Sequence, residues 1–189
     1  MDAPAQDDAA DSGEDAPATD AAGDTAADGA DAATDGAAGL TCPATINGML
    51  ETTDPTQVGR HSRVAPSSIC GVLKTYPSNM ADPSFPHVYD VYRFANRRAA
   101  AACFTFTLTY PIIDAGMGND RYAVAYTSFN PADISSGYLG DVGSVTTSPQ
   151  TMGITVAAGT SIDVVVYAIQ ATNSGNPYVG PYTLSCATQ

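Results

Sequence analysis

The chain has no tryptophan, only two histidines, and just seven Lys and Arg against 20 Asp and Glu in 189 residues. Each shortage excludes something. Without Trp, Phe and Tyr must supply the large core side chains. No apolar run approaches the 18 or so residues of a spanning helix. No positively charged and then apolar leader follows Met1. A chain so short of positive charge has little to hold a phosphate backbone, which disfavours nucleic acid as a partner. The shortages are sharpest in residues 1–39, which contain no Lys, Arg, aromatic, Ile, Leu or Val.

Residues 1–39 instead hold ten Asp, one Glu and fifteen Ala. They carry −11 of the net −13, so residues 40–189 are nearly neutral at −2. A segment with so little apolar surface cannot offset the entropy of ordering. Gly13, Gly23, Gly29, Gly36, Gly39, Pro4 and Pro17 also interrupt every helix-prone Ala stretch. Composition therefore predicts a disordered acidic tether over 1–39, spanning roughly 35 Å or more. It lacks the spaced oxygen ligands of a calcium loop.

Residues 40–189 suit a single domain with one core. Their apolar residues alternate with period two, and helical periodicity is absent. Strands are predicted at Thr45–Glu51, Val88–Phe94, Ala102–Tyr110, Tyr122–Phe129, Met152–Val156, Ser161–Ile169 and Tyr182–Cys186, with a short one around Ser68–Leu73. In Ala102–Tyr110, Phe104, Phe106, Leu108 and Tyr110 share one face, opposite Cys103, Thr105, Thr107 and Thr109. Ala157–Thr160 is expected to close a hairpin. The expectation is an all-β, antiparallel, jelly-roll-like β-sandwich of about seven to nine strands.

Cys42, Cys70, Cys103 and Cys186 are even in number, widely spaced and without a C-x-x-C pair. That favours two disulfides in an oxidising compartment over a zinc or redox site. Four cysteines allow three connectivities. Neighbouring first and last strands would pair Cys42 with Cys186, leaving Cys70 with Cys103.

Catalytic constellations are missing. His61 and His87 are expected in loop or strand-edge positions, and no G-x-S-x-G, H-E-x-x-H or glycine-rich phosphate loop accompanies them. A carboxylate-pair hydrolase is disfavoured, with only nine acids in the folded part. No cofactor is indicated. Calcium is the one metal with candidate ligands, Asp114, Asn119 and Asp120 in a Gly-rich turn, with Asp133 and Asp141 as a second pair. Ordinary turn chemistry explains the same residues. Arg93, Arg97 and Arg98, with Arg121 near them, form a basic cluster suited to anionic glycan, lipid headgroups or the acidic tail. Ten tyrosines exceed what a core needs, and Tyr138 and Tyr178, in Gly-rich loops, suit stacking on sugars or proteins.

Several segments together resemble one known module. They are Asp54-Pro55-Thr56-Gln57-Val58-Gly59-Arg60, His87-Val88-Tyr89-Asp90-Val91-Tyr92-Arg93-Phe94, Phe129-Asn130-Pro131-Ala132-Asp133, Ile154-Thr155-Val156-Ala157-Ala158-Gly159-Thr160 and Gly180-Pro181-Tyr182-Thr183-Leu184. Their order over residues 44–186 resembles the pre-peptidase C-terminal type of β-sandwich domain in exported bacterial proteins. The resemblance implies an exported, non-catalytic module, some relatives of which are linked with carbohydrate or protein-surface binding. The acidic spacer resembles the region after the lipidated Cys of bacterial lipoproteins, which implies membrane contact only through a lipid anchor on a precursor. Two functions follow as expectations: a tethered surface module binding carbohydrate or a cell-surface protein, or a self-assembling subunit of an extracellular filament or coat.

Overall fold

The computed structural model describes residues 39–77, 80–112, 120–143, 147–173 and 179–189. The predicted tether lies outside them except for Gly39. Among the described residues there is no helix, and nine strands form two antiparallel sheets. They are β1 (Ala44–Leu50), β2 (Thr56–His61), β3 (Met80–Ala95), β4 (Ala102–Thr109), β5 (Arg121–Tyr126), β6 (Tyr138–Asp141), β7 (Gln150–Val156), β8 (Ser161–Ala168) and β9 (Gly180–Thr188). One sheet has the order β1-β9-β4-β7 and the other β2-β3-β8-β5-β6. The chain is an all-β sandwich.

Alternation builds the layer between the sheets. Phe104, Phe106 and Leu108 of β4 are buried while Thr105 and Thr107 are only half-buried. Phe106 meets Phe94 of the facing sheet edge-on, at a ring-centroid distance of 4.9 Å. Met152, Ile154, Val164, Val166 and Leu184 fill the rest. The first and last strands do pair, with Ala44 opposite Cys186. Both predicted disulfides, Cys42–Cys186 and Cys70–Cys103, are formed. Such bonds suit an oxidising environment.

The turn Ala157–Thr160 corrects one expectation. It does not close a hairpin, because β7 pairs with β4 and β8 pairs with β3 and β5. The turn carries the chain between sheets, with Gly159 at φ 67° and its N–H donating to Asn96 O. Local pattern cannot distinguish these outcomes, since strand partners are set by distant residues. Likewise Ser68–Leu73 is no strand, whereas β2 and the four-residue β6 went unpredicted. β2 is broken by a bulge between Val58 and Arg60, and β6 is too short to show alternation.

Every residue of β5 is buried, and so is β8 from Ile162 to Ala168. This means the outer face of the five-stranded sheet is covered as well as the inner one. Register places Tyr122, Val124 and Tyr126 opposite Tyr167, Val165 and Asp163 on that outer face. The covering comes from the segments that follow β2 and β5.

Candidate functional site

The segment after β2, residues 62–77, runs across the side of the sandwich where β6 and β7 are the edge strands. Ser68 fastens it to both sheets. Its N–H donates to Asp141 O of β6 at 2.9 Å, and its carbonyl accepts from Gly153 N of β7 at 2.8 Å. Asp141 N–H donates to Ser68 Oγ at 2.9 Å. Gly71 N–H donates to Thr155 Oγ1, and Cys70 is bonded to Cys103 of β4. This strap satisfies backbone groups that edge strands otherwise present to solvent.

A second fastening is ionic. Lys74 Nζ donates to Val64 O at 2.8 Å, Pro66 O at 2.7 Å and Asp141 Oδ1 at 2.5 Å. The Asp141 side chain is fully buried. Its Oδ1 also accepts from Gly143 N, and its Oδ2 accepts from the Tyr138 hydroxyl at 2.5 Å. Beneath the strap His61 stacks on Tyr138 with centroids 5.7 Å apart, and Tyr76 and Tyr126 close around it. His61 Nε2 lies 3.1 Å from Ile134 O, and the His61 backbone N–H donates to the Tyr167 hydroxyl oxygen at 3.1 Å. Burial drives the His61 pKa down to about 4, although nearby Asp141 and the Ile134 carbonyl favour its charged form. Burial lowers His87 as well, with its Nδ1 on Ala168 O. Both histidines are fully buried, His61 as the last residue of the edge strand β2 and His87 within β3.

The outward side of the strap is apolar. Ile69, Val72 and Leu73 are 61%, 60% and 83% exposed. With Leu139, Gly153, Ile154 and Thr155 they line a groove of about 300 Å³. The sequence signal for this surface is the short run Ile69-Cys70-Gly71-Val72-Leu73, which also fits a buried strand.

A separate polar cluster lies between β3 and the β1–β9 pair. The Tyr182 hydroxyl donates to Asp90 Oδ2 at 2.5 Å and lies 2.6 Å from the Tyr92 hydroxyl. Desolvation raises the Asp90 pKa to about 6 against the opposing bond from Tyr182. Gly48 gives the Tyr182 ring its space, for a Cβ there would lie 2.2 Å from Cζ.

The predicted ligand-binding residues are dispersed. Tyr138 belongs to β6 rather than to a loop, and its ring and hydroxyl both face inward partners. Arg93 pairs with Asp163, Arg98 reaches Thr188 Oγ1, and Arg97 is exposed on the turn after β3. Arg121 is not near them. It is buried and sits opposite Ala168, whereas Arg93 sits opposite Asp163, roughly 16 Å away along β8. Of the calcium candidates, Asp114 and Asn119 lie outside the described residues, as does Tyr178, and Asp120 pairs with Arg63. Asp133 is engaged by Ser135, and both Asp141 oxygens are occupied. Among the described residues no group of three His, Cys, Asp or Glu side chains can hold a metal.

The chain matches no family model, no curated protein and no solved structure.

Proposed function

We propose that the chain is an exported, non-catalytic surface module that grips a protein partner through the apolar strap, with the acidic N-terminal segment as its spacer. The observation carrying this reading is the exposure of Ile69, Val72 and Leu73 on a loop fastened by a disulfide, an ion pair and bonds to both sheets. Large aliphatic side chains presented to water on a fastened backbone favour a contact surface, because less loop-ordering entropy remains to be lost on binding. The groove lining is aliphatic, which suits a protein better than a sugar ring, whose usual platform is aromatic. Of the two tyrosines expected to serve as such a platform, the one among the described residues, Tyr138, is turned inward.

One observation favours the filament or coat reading as the alternative. β1, Ala-Thr-Ile-Asn-Gly-Met-Leu, is an edge strand with no charge, proline or bulge. β2 has a bulge and Arg60, and β6 and β7 are bonded to the strap. An unblunted edge is a template for pairing with another chain.

The test is a photo-crosslinking residue at position 72, applied to intact cells of the producing organism, beside glycan binding and light scattering of the oxidised chain over a concentration series. A discrete protein adduct lost in Leu73→Asp, with monomeric scattering and silent glycans, is expected. Glycan binding that survives Leu73→Asp would replace this reading with a carbohydrate module. Ordered polymers would replace it with the structural subunit.

A further inference from the structure

Lys74 is the only lysine in the chain; the other six basic side chains are arginines. This one amine is placed against a fully buried carboxylate, with Nζ 2.5 Å from Asp141 Oδ1 and the Lys74 side chain only 14% exposed. Arg would satisfy a strap latch in charge, yet a guanidinium stays protonated and is no nucleophile, while a lysine amine is one once it loses a proton. The carboxylate side of the pair is fully buried, Tyr122 and Tyr126 are fully buried as well, and His61 packs on Tyr138 and Tyr76.

We propose that Lys74 and Asp141 condense into an intramolecular amide that locks the strap covalently to β6. The three contacts of Nζ lay out the step. One proton passes from the ammonium to Asp141 Oδ1. The amine keeps its two remaining hydrogens on Val64 O and Pro66 O, so its lone pair is left on the side of the Asp141 carboxyl group, and a small rotation of that group brings Cγ to it. Attack on Cγ forms the C–N bond and places negative charge on Oδ2, where the Tyr138 hydroxyl already donates. The Cγ–Oδ1 bond then breaks. Oδ1 leaves as water, carrying the proton it received and a second one from the nitrogen. Of the three ammonium hydrogens one remains on the amide and two depart with the oxygen, and no oxidant or co-reactant is needed.

Two physical terms favour the product. Amine and carboxyl are held in contact, and well-oriented intramolecular pairs reach effective molarities on the order of 10⁵ M or more. Condensation also replaces two buried charges by one neutral amide, which removes the standing desolvation cost of the pair. The link is insensitive to thiols, so it would hold the strap in place when Cys70–Cys103 is reduced. It stands independently of the partner reading, since it concerns how the strap is fixed and not what the strap touches.

A single lysine makes the test binary. Lysyl endopeptidase needs an unmodified lysine, and the reduced, denatured chain offers it one site. The expected result is an uncut wild-type chain whose mass is one water below that of its sequence. A second protease should yield a branched peptide joining the Lys74 and Asp141 segments. Asp141→Ala is expected to be cut after residue 74 and to show the full mass, and Asp141→Asn to lose ammonia in place of water where it links. Clean fragments 1–74 and 75–189 from wild type would overturn the proposal. Resistance to cleavage in Asp141→Ala as well would also overturn it. Water loss at Asp28-Gly29 or Asp35-Gly36 cannot imitate the link, because the chain would still be cut after Lys74.

Discussion

Gly140 of β6 lies directly under Ser68 of the strap, so that a Cβ at Gly140 would come 2.2 Å from Ser68 Oγ and 2.7 Å from Ser68 Cβ. Ser68 cannot move aside cheaply, since its backbone is bonded to β6 and β7 together. Two further glycines repeat the device. A Cβ at Gly153 would meet Cys70 N at 2.9 Å, and one at Gly143 would meet Ser67 N at 2.5 Å. The strap is seated by close backbone approach and not by side-chain packing alone.

Gly140→Ala is therefore expected to destabilise the fold by about 1–3 kcal/mol in urea unfolding, the usual cost of overpacking. Ser68→Gly removes the atoms that clash, so the double variant should recover part of the loss. Additive losses in the double-mutant cycle would show that the two positions do not interfere.

The two disulfides should differ in weight. Cys42–Cys186 spans 144 residues and Cys70–Cys103 spans 33. Chain-entropy reasoning assigns roughly 5 kcal/mol to the first and about 4 kcal/mol to the second. Cys42→Ser/Cys186→Ser should lower the melting temperature more than Cys70→Ser/Cys103→Ser. The opposite order in calorimetry would mean that anchoring the strap outweighs loop closure.

The fold was legible where side chains alternate cleanly, as in Ala102–Tyr110, because period two is a local property. The first-to-last strand pairing and both disulfides also emerged from pattern and count. What stayed hidden depends on distant chain. The turn Ala157–Thr160 joins two sheets because β7 and β8 find partners far away in sequence. Ile69, Val72 and Leu73 share the composition of a buried strand and are exposed only because Ser68 and Cys70 commit the strap to the sandwich edge. His61 is surrounded by Tyr76, Tyr126 and Tyr138, from three separate stretches, and no spacing motif marks such a cluster.

Leu73 packs on little of its own chain at 83% exposure, so Leu73→Asp should leave stability within about 0.5 kcal/mol of wild type. Thermal unfolding checks this. A large loss would make Leu73 part of the fold and remove it as a contact residue.

Stability against pH should reveal buried groups pulling in opposite directions, the histidines one way and Asp90 the other. His61 falls from 6.5 to about 4 on folding, so between those values the unfolded chain holds its proton and the native chain does not. That contribution makes stability rise with pH, and it is complete above 6.5. Asp90 moves from 3.8 up to about 6, so in nearly the same window the native chain holds the proton and the unfolded chain does not. Its contribution is present below 3.8 and is lost as pH rises through 6. Between pH 4 and 6 the Asp90 slope offsets part of the rise that His61 contributes and that His87, also lowered by burial, adds to. Asp90→Asn keeps an acceptor for the Tyr182 hydroxyl and removes the falling component, so its stability should climb more steeply across that window. Guanidinium unfolding at a series of pH values decides it. Parallel wild-type and Asp90→Asn profiles would mean that Asp90 is not protonated in the native state near pH 5, and that the Tyr182 bond holds it as a carboxylate.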